Sequence, residues 1–164
     1  MRYIILLIVV LGGGWLLWQK GDTTLEYASD YGNAAYTIEG KRVQLVEGAA
    51  EAEGVITQEF GNEVMGDFSG DGIADVAFIL AQQPGGTGTF YYIAVARGAE
   101  GGYVGTNALL LGDRIAPQTT EIRDGAIIVN YADRKPGEPM TADPSVGVSR
   151  TFRMESGILK EITQ

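Results

Sequence analysis

The chain has 164 residues, 24 of them glycine and 5 proline, with 45% hydrophobic residues and a net charge of −9. It contains neither cysteine nor histidine, which excludes disulfides, thiolate zinc sites, cysteine nucleophiles and any Ser-His-Asp triad. Its acidity sets it against phosphate backbones and anionic lipid surfaces, so nucleic acid is not an expected partner.

Residues 1–20 form the first unit. Tyr3 to Trp18 reads YIILLIVVLGGGWLLW, without a charge, between Arg2 and Lys20. A spanning helix usually needs about 20 residues and a signal-peptide core about 7–15, so the length falls between the two. No small-x-small cleavage site follows, Trp15 and Trp18 suit one membrane interface, and a snorkelling Lys20 lengthens the span. An uncleaved N-terminal transmembrane helix is therefore preferred over a cleaved signal. Arg2 precedes it while Asp22 and Glu26 follow Lys20, and the positive-inside rule places the rest of the chain outside the cytoplasm, at the cell membrane. Residues 21–33 are polar and read as a tether. Residues 34–164 read as one extracytoplasmic β domain.

Within that domain, Ala35–Glu39, Gly40-Lys41 and Arg42–Val46 read as a hairpin. Gly48 to Glu53, GAAEAE, reads as a loop or one helical turn. Val55 to Val64 places Ile56, Phe60 and Val64 on one parity but also at spacing four, compatible with strand or helix, with strand preferred. Val76–Ala81 and Phe90–Ala96 are apolar at both parities, as in strands covered on both faces, and read as adjacent central strands joined by the loop from Gln83 to Thr89. Tyr103–Leu111 gives a weaker strand. Ile115–Arg123, Asp124-Gly125 and Ala126–Ala132 form the strongest hairpin signal, because Asp-Gly suits a two-residue type I′ turn. Asp133 to Pro144 is a proline-rich loop. Val146, Val148, Arg150, Phe152 and Met154 alternate with more polar residues, and Ser156-Gly157 turns that strand into a last one, Ile158–Ile162. The expected fold is all-β, mainly antiparallel and built of successive hairpins, preceded by the transmembrane helix.

Chemistry concentrates in GDFSGDGIADVAFIL, Gly66 to Leu80. Asp67, Ser69, Asp71 and Asp75 occupy loop positions 1, 3, 5 and 9, the carbonyl of Ile73 can serve position 7, and Gly72 permits a sharp turn after the third oxygen. Such spacing wraps oxygens around Ca2+, which takes six to eight of them. Position 12, the bidentate Glu of an EF-hand, is Phe78, and the flanks read as strands, so an EF-hand is excluded. The competing reading is an Asp/Gly-rich turn whose carboxylates accept from backbone amides.

The loop resembles the calcium loops of FG-GAP and VCBS-type repeats, with Ser69 a weaker ligand than the Asp or Asn of that pattern. Over about Glu63 to Met140 the order GDFSGDGIADVAFIL, QQPGGTGTFYYIAVA and LLLGDRIAPQTTEIRDGAIIVNYADRKPGEPM is similar to a family of small exported bacterial proteins, many of them lipoproteins, of the LppP/LprE type. The resemblance implies an extracytoplasmic domain; the chain lacks a lipobox cysteine, so a protein anchor would replace the lipid.

Other motifs carry less. Pro84 to Thr89, PGGTGT, lacks the Gly-Lys-Ser/Thr ending of a phosphate loop and precedes a strand. Tyr91 and Tyr92 point to opposite faces, so one of them can line a groove. Asp113-Arg114 and Asp133-Arg134-Lys135 read as turn residues with surface ion pairs, or alternatively as a ligand-contacting rim. The expected function is a membrane-anchored calcium-binding β module, not an enzyme, with a structural role or a protein ligand. The alternatives are a cell-wall glycan-binding domain and, more remotely, a glycoside hydrolase using two carboxylates.

Overall fold

The computed structural model describes residues 27–162, so the expected anchor at residues 1–20 and the first part of the tether lie outside the described residues. Among the described residues no helix is long and apolar enough to cross a membrane. The domain is all-β. Its strands are β1 (Ala35–Ile38), β2 (Lys41–Gln44), β3 (Ala49–Ala52), β4 (Val55–Gly66), β5 (Asp75–Gln83), β6 (Phe90–Ala99), β7 (Gly102–Gly105), β8 (Asn107–Asp113), β9 (Ala116–Arg123), β10 (Ala126–Asp133), β11 (Val146–Glu155) and β12 (Ile158–Ile162).

Short turns set the registers. Glu39-Gly40, Glu53-Gly54, Asp124-Gly125 and Ser156-Gly157 all have positive φ at both residues, the signature of type I′ turns whose twist matches that of the strands they join. They connect β1 to β2, β3 to β4, β9 to β10 and β11 to β12. The Glu53-Gly54 turn explains why GAAEAE is a strand after all. With the turn fixed, Ala49–Ala52 pairs with Val55–Gln58, and register overrides the weak β propensity of Ala and Glu. In β4 the register shifts between Glu59 and Gly61 and again before Val64. The bulges interrupt one continuous strand, Val55–Gly66, so of the two readings open in the sequence the strand is the one formed.

The strands form two sheets. One runs β2-β1-β8-β6-β5-β4-β3, with β7 continuing the β8 edge along β6; the other runs β12-β11-β10-β9. All strand pairs are antiparallel except β1 with β8, where Thr37 and Ile38 lie opposite Asn107 and Ala108. The larger sheet curls strongly. β8 and β6 lie between β1 and β5, yet the rings of Tyr36 and Phe78 are 5.3 Å apart. At one end the curl closes: Gly48 donates to the Gly32 carbonyl at 2.8 Å and accepts from Glu59 N–H at 2.8 Å, while Val46 bridges Ala49. The result is a seven-stranded half-closed barrel with the smaller sheet against its outer wall.

This arrangement explains the two doubly apolar runs. β5 and β6 are adjacent and antiparallel, and every residue from Asp75 to Ala81 is buried. Ala77, Ile79, Ile93 and Val95 face the smaller sheet and meet Ile127, Val129, Phe152 and Leu159. Val76, Phe78, Leu80, Tyr92 and Ala94 face into the barrel with Tyr36, Ile38 and Leu45. Residues 28–33, read from sequence as the end of a tether, also lie on the domain: Ala28 bridges Tyr103 and the Tyr31 ring lies 5.1 Å from Phe78.

Candidate functional site

The acidic loop joins the end of β4 to the start of β5, next to the end of β6. Two anchors hold it. Phe68 is buried in the core between the sheets, and Asp75 is completely buried. A carboxylate offers about four acceptor sites, and those of Asp75 are filled. Its Oδ2 accepts from the N–H groups of Phe68 at 2.8 Å and Ser69 at 2.7 Å. Its Oδ1 accepts from Gly98 N–H at 2.8 Å, with the Ser69 hydroxyl at 3.5 Å. One side chain thus ties both ends of the loop to β6. The close approach requires glycine at position 98, where a Cβ would overlap the Ala74 carbonyl oxygen.

Asp67 and Asp71 are exposed. Asp67 Oδ1 accepts from Gly70 N–H at 2.6 Å and Asp71 N–H at 3.1 Å, and Oδ2 from Gly72 N–H at 2.9 Å. Asp71 Oδ1 accepts from Ile73 N–H at 2.9 Å. The structure therefore brings Asp67, Ser69, Asp71, Ile73 and Asp75 into one loop, but their carboxylates turn to amides rather than to a common point. Among the described residues no three acidic side chains are arranged to hold a metal. Tested as calcium ligands, Asp67 and Asp71 keep unused lone pairs, whereas Asp75 can coordinate an ion only by giving up an amide.

The two Asp-Arg loops do meet, at the end of the sandwich where the glycine loop also arrives. The Arg134 guanidinium donates to the carbonyls of Ala142 at 2.7 Å and Arg114 at 2.9 Å. Asp113 accepts from Thr89 N–H at 3.0 Å and from the Arg114 guanidinium at 3.0 Å. Arg134 is spent on joining the loops and Arg114 pairs with its neighbour Asp113, which favours the turn reading over the rim. Tyr92 is buried in the barrel and donates to Glu39 Oε1 at 3.2 Å; burial, then Glu39, push its hydroxyl pKa up to about 12. Tyr91 is half-buried and stands edge-on to the exposed Phe60, ring centroids 5.2 Å apart.

Two features escape a reading of sequence alone. The first is Gly98, within an apolar strand, whose role depends on a loop about 25 residues earlier. The second is a cavity of about 460 Å³ at the open end of the barrel, bounded by the β1–β2 and β3–β4 hairpins and by Gln82 and Pro84. No family model, no curated protein and no solved structure matches the chain.

Proposed function

We propose that the chain is a membrane-anchored, extracytoplasmic β module with a structural or binding role, in which calcium orders the loop from Asp67 to Asp75. The anchor and its orientation are supported by the charge-free segment between Arg2 and Lys20. Support for calcium comes from one observation above all. Asp67 and Asp71 stand exposed at positions 1 and 5 of a loop whose ends are already fixed by Asp75, and both retain acceptor capacity. Asp67, Asp71, the Ser69 hydroxyl and the Ile73 carbonyl then supply the ion's oxygens together with water, while Asp75 stays the latch. So few charged ligands place the affinity in the weak class of extracellular modules, about 0.1–1 mM.

Calorimetric titration of the full chain with calcium chloride tests this. Saturable binding in that range, lost in Asp71→Ala, is expected. Absence of binding, or equal binding by the variant, leaves the loop as a hydrogen-bonded corner and removes calcium from the function.

A glycan-binding role is the second reading, favoured by the exposed Phe60 edge-on to Tyr91, since aromatic faces in water suit sugar rings. Retention on cell-wall material that falls in Phe60→Ala supports it; retention unchanged by that substitution counts against it.

A further inference from the structure

We propose that the open end of the barrel is a strand-addition site, which takes an extended peptide segment of a partner protein between β2 and β3. This gives the binding module a partner class. It rests on that reading only for the module being a binder, and is independent of both calcium and the anchor.

The two-residue turn at Glu39-Gly40 makes Ile38–Lys41 and Tyr36–Val43 the hydrogen-bonded pairs of the first hairpin. The main-chain groups of Gln44 therefore point away from β1. By the same logic the turn at Glu53-Gly54 makes Ala52–Val55 and Ala50–Thr57 the bonded pairs, and the main chain of Glu51 points away from β4. β2 and β3 are the two terminal strands of the curled sheet. They are joined by the positive-φ pair Glu47-Gly48 and bridged at Val46 and Ala49.

A regular hairpin would next pair Gln44 with Glu51, but the pairing of β2 with β3 stops at the Val46–Ala49 bridge. From there the strands splay, and the gap between them opens into the cavity. Two sheet edges thus face one space, and such edges are templates for an added strand.

The size and walls of the space fit one short strand. At about 4.8 Å between strands and about 10 Å of layer thickness, 460 Å³ corresponds to about 10 Å of strand, or three residues. Ile38, Val43 and Ala50 make the inner wall apolar, and the buried Thr57 hydroxyl accepts from the Gln82 side chain at 3.2 Å. The inward side chain of the added strand is therefore small or β-branched and apolar. No aromatic ring lines the cavity to stack on a sugar. At the rim Lys41 reaches across to Glu53, 3.7 Å apart, with 79% and 85% of the side chains exposed. An ion pair so exposed is a weak strap that costs little to open.

The test uses the full-length chain and fluorescein-labelled hexapeptides in which Thr alternates with Ala, Val, Ile, Leu or Phe. Fluorescence anisotropy is expected to show saturable binding, strongest for Ala, Val or Ile. N-methylation of alternate residues should weaken it at least tenfold, because strand addition needs those N–H groups. Ala50→Trp should abolish binding by filling the space. No binding by any of the peptides overturns the proposal. So does equal binding of the N-methylated forms, which makes the cavity a general apolar pocket, or binding unaffected by Ala50→Trp. Calcium can fail to bind in its own titration without changing any of these outcomes.

Discussion

Replacing Asp75 tests most directly what holds the acidic loop together. Asp75→Ala leaves three backbone N–H groups, those of Phe68, Ser69 and Gly98, without their acceptor, and those of Phe68 and Gly98 are closed to water. Hydrogen bonds to a charged group are worth about 1.5–3 kcal/mol each. Part of that returns because the variant no longer buries a carboxylate, and because water can reach the half-buried Ser69. The net loss expected is about 3 kcal/mol. For a domain of this size it lowers the melting temperature by about 10 °C. Asp75→Asn keeps the oxygen that serves Phe68 and Ser69 but sets an NH2 group against Gly98 N–H, and should cost about 2 kcal/mol.

Asp67→Ala also removes the acceptor of three backbone N–H groups. They are exposed, and the loss should stay near 1 kcal/mol, like that of an exposed cap. Urea unfolding of the full chain, followed by far-UV circular dichroism with calcium chelated, reads all three. Trp15 and Trp18 both lie in the N-terminal segment, so tryptophan fluorescence is the wrong probe. A loss below about 1 kcal/mol for Asp75→Ala, or a larger loss for Asp67→Ala, would refute the latch.

Four further outcomes follow from the same packing. Burial, with Asp30 and Glu63 nearby, raises the Glu59 pKa. The folded state then binds the extra proton, and stability falls as pH rises through that folded pKa. Glu59→Gln should accordingly raise the melting temperature at pH 7.5 and change it little near pH 4; an equal shift at both pH values contradicts this. Gly98→Ala forces a methyl onto the Ala74 carbonyl and should cost about 3 kcal/mol or more by urea unfolding. Arg134→Lys cannot reproduce the fork to Ala142 and Arg114, and limited proteolysis should cut residues 135–145 at least several-fold faster. Glu161 sits below its usual pKa because Arg150 hydrogen-bonds it at 2.6 and 2.7 Å. Its contribution is present above the unfolded carboxylate pKa and is lost as pH falls through the folded one. Glu161→Gln should therefore be destabilising at pH 7, weakly and less so in high salt, and neutral near pH 2.

Much of the fold was legible because the informative signals are local. Asp124-Gly125, the alternation from Val146 to Met154 and the doubly apolar runs at Val76 and Phe90 depend only on turn chemistry and on which faces are covered. β3 was not legible, since GAAEAE has no strand propensity of its own and is held by the Glu53-Gly54 register. Curling of the larger sheet was hidden for a different reason. It depends on Gly48 bonding both Gly32 and Glu59, contacts between residues 16 and 11 positions apart. The same long reach concealed the cavity, whose walls come from two hairpins and the β5–β6 loop.

For the acidic loop, sequence pointed to the right residues and left two chemistries open, and the geometry explains why. A tight loop from β4 to β5 must satisfy its own amides, and carboxylates at its first and last positions do so from both ends: Asp67 serves Gly70, Asp71 and Gly72, while Asp75 serves Phe68 and Ser69. Calcium asks for oxygens at those same positions. The two demands select one spacing, so spacing alone cannot separate an ion site from a self-closed turn. What separates them is where each carboxylate has acceptor capacity left. Asp75 has almost none and is fixed to Gly98 on a neighbouring strand, whereas Asp71 spends one oxygen on Ile73 N–H and faces water. Stability without calcium should therefore depend on Asp75, and any response to calcium should depend on Asp71. If Asp71→Ala abolished the calcium response while Asp75→Ala weakened only the fold, both demands would be met by one loop through different residues.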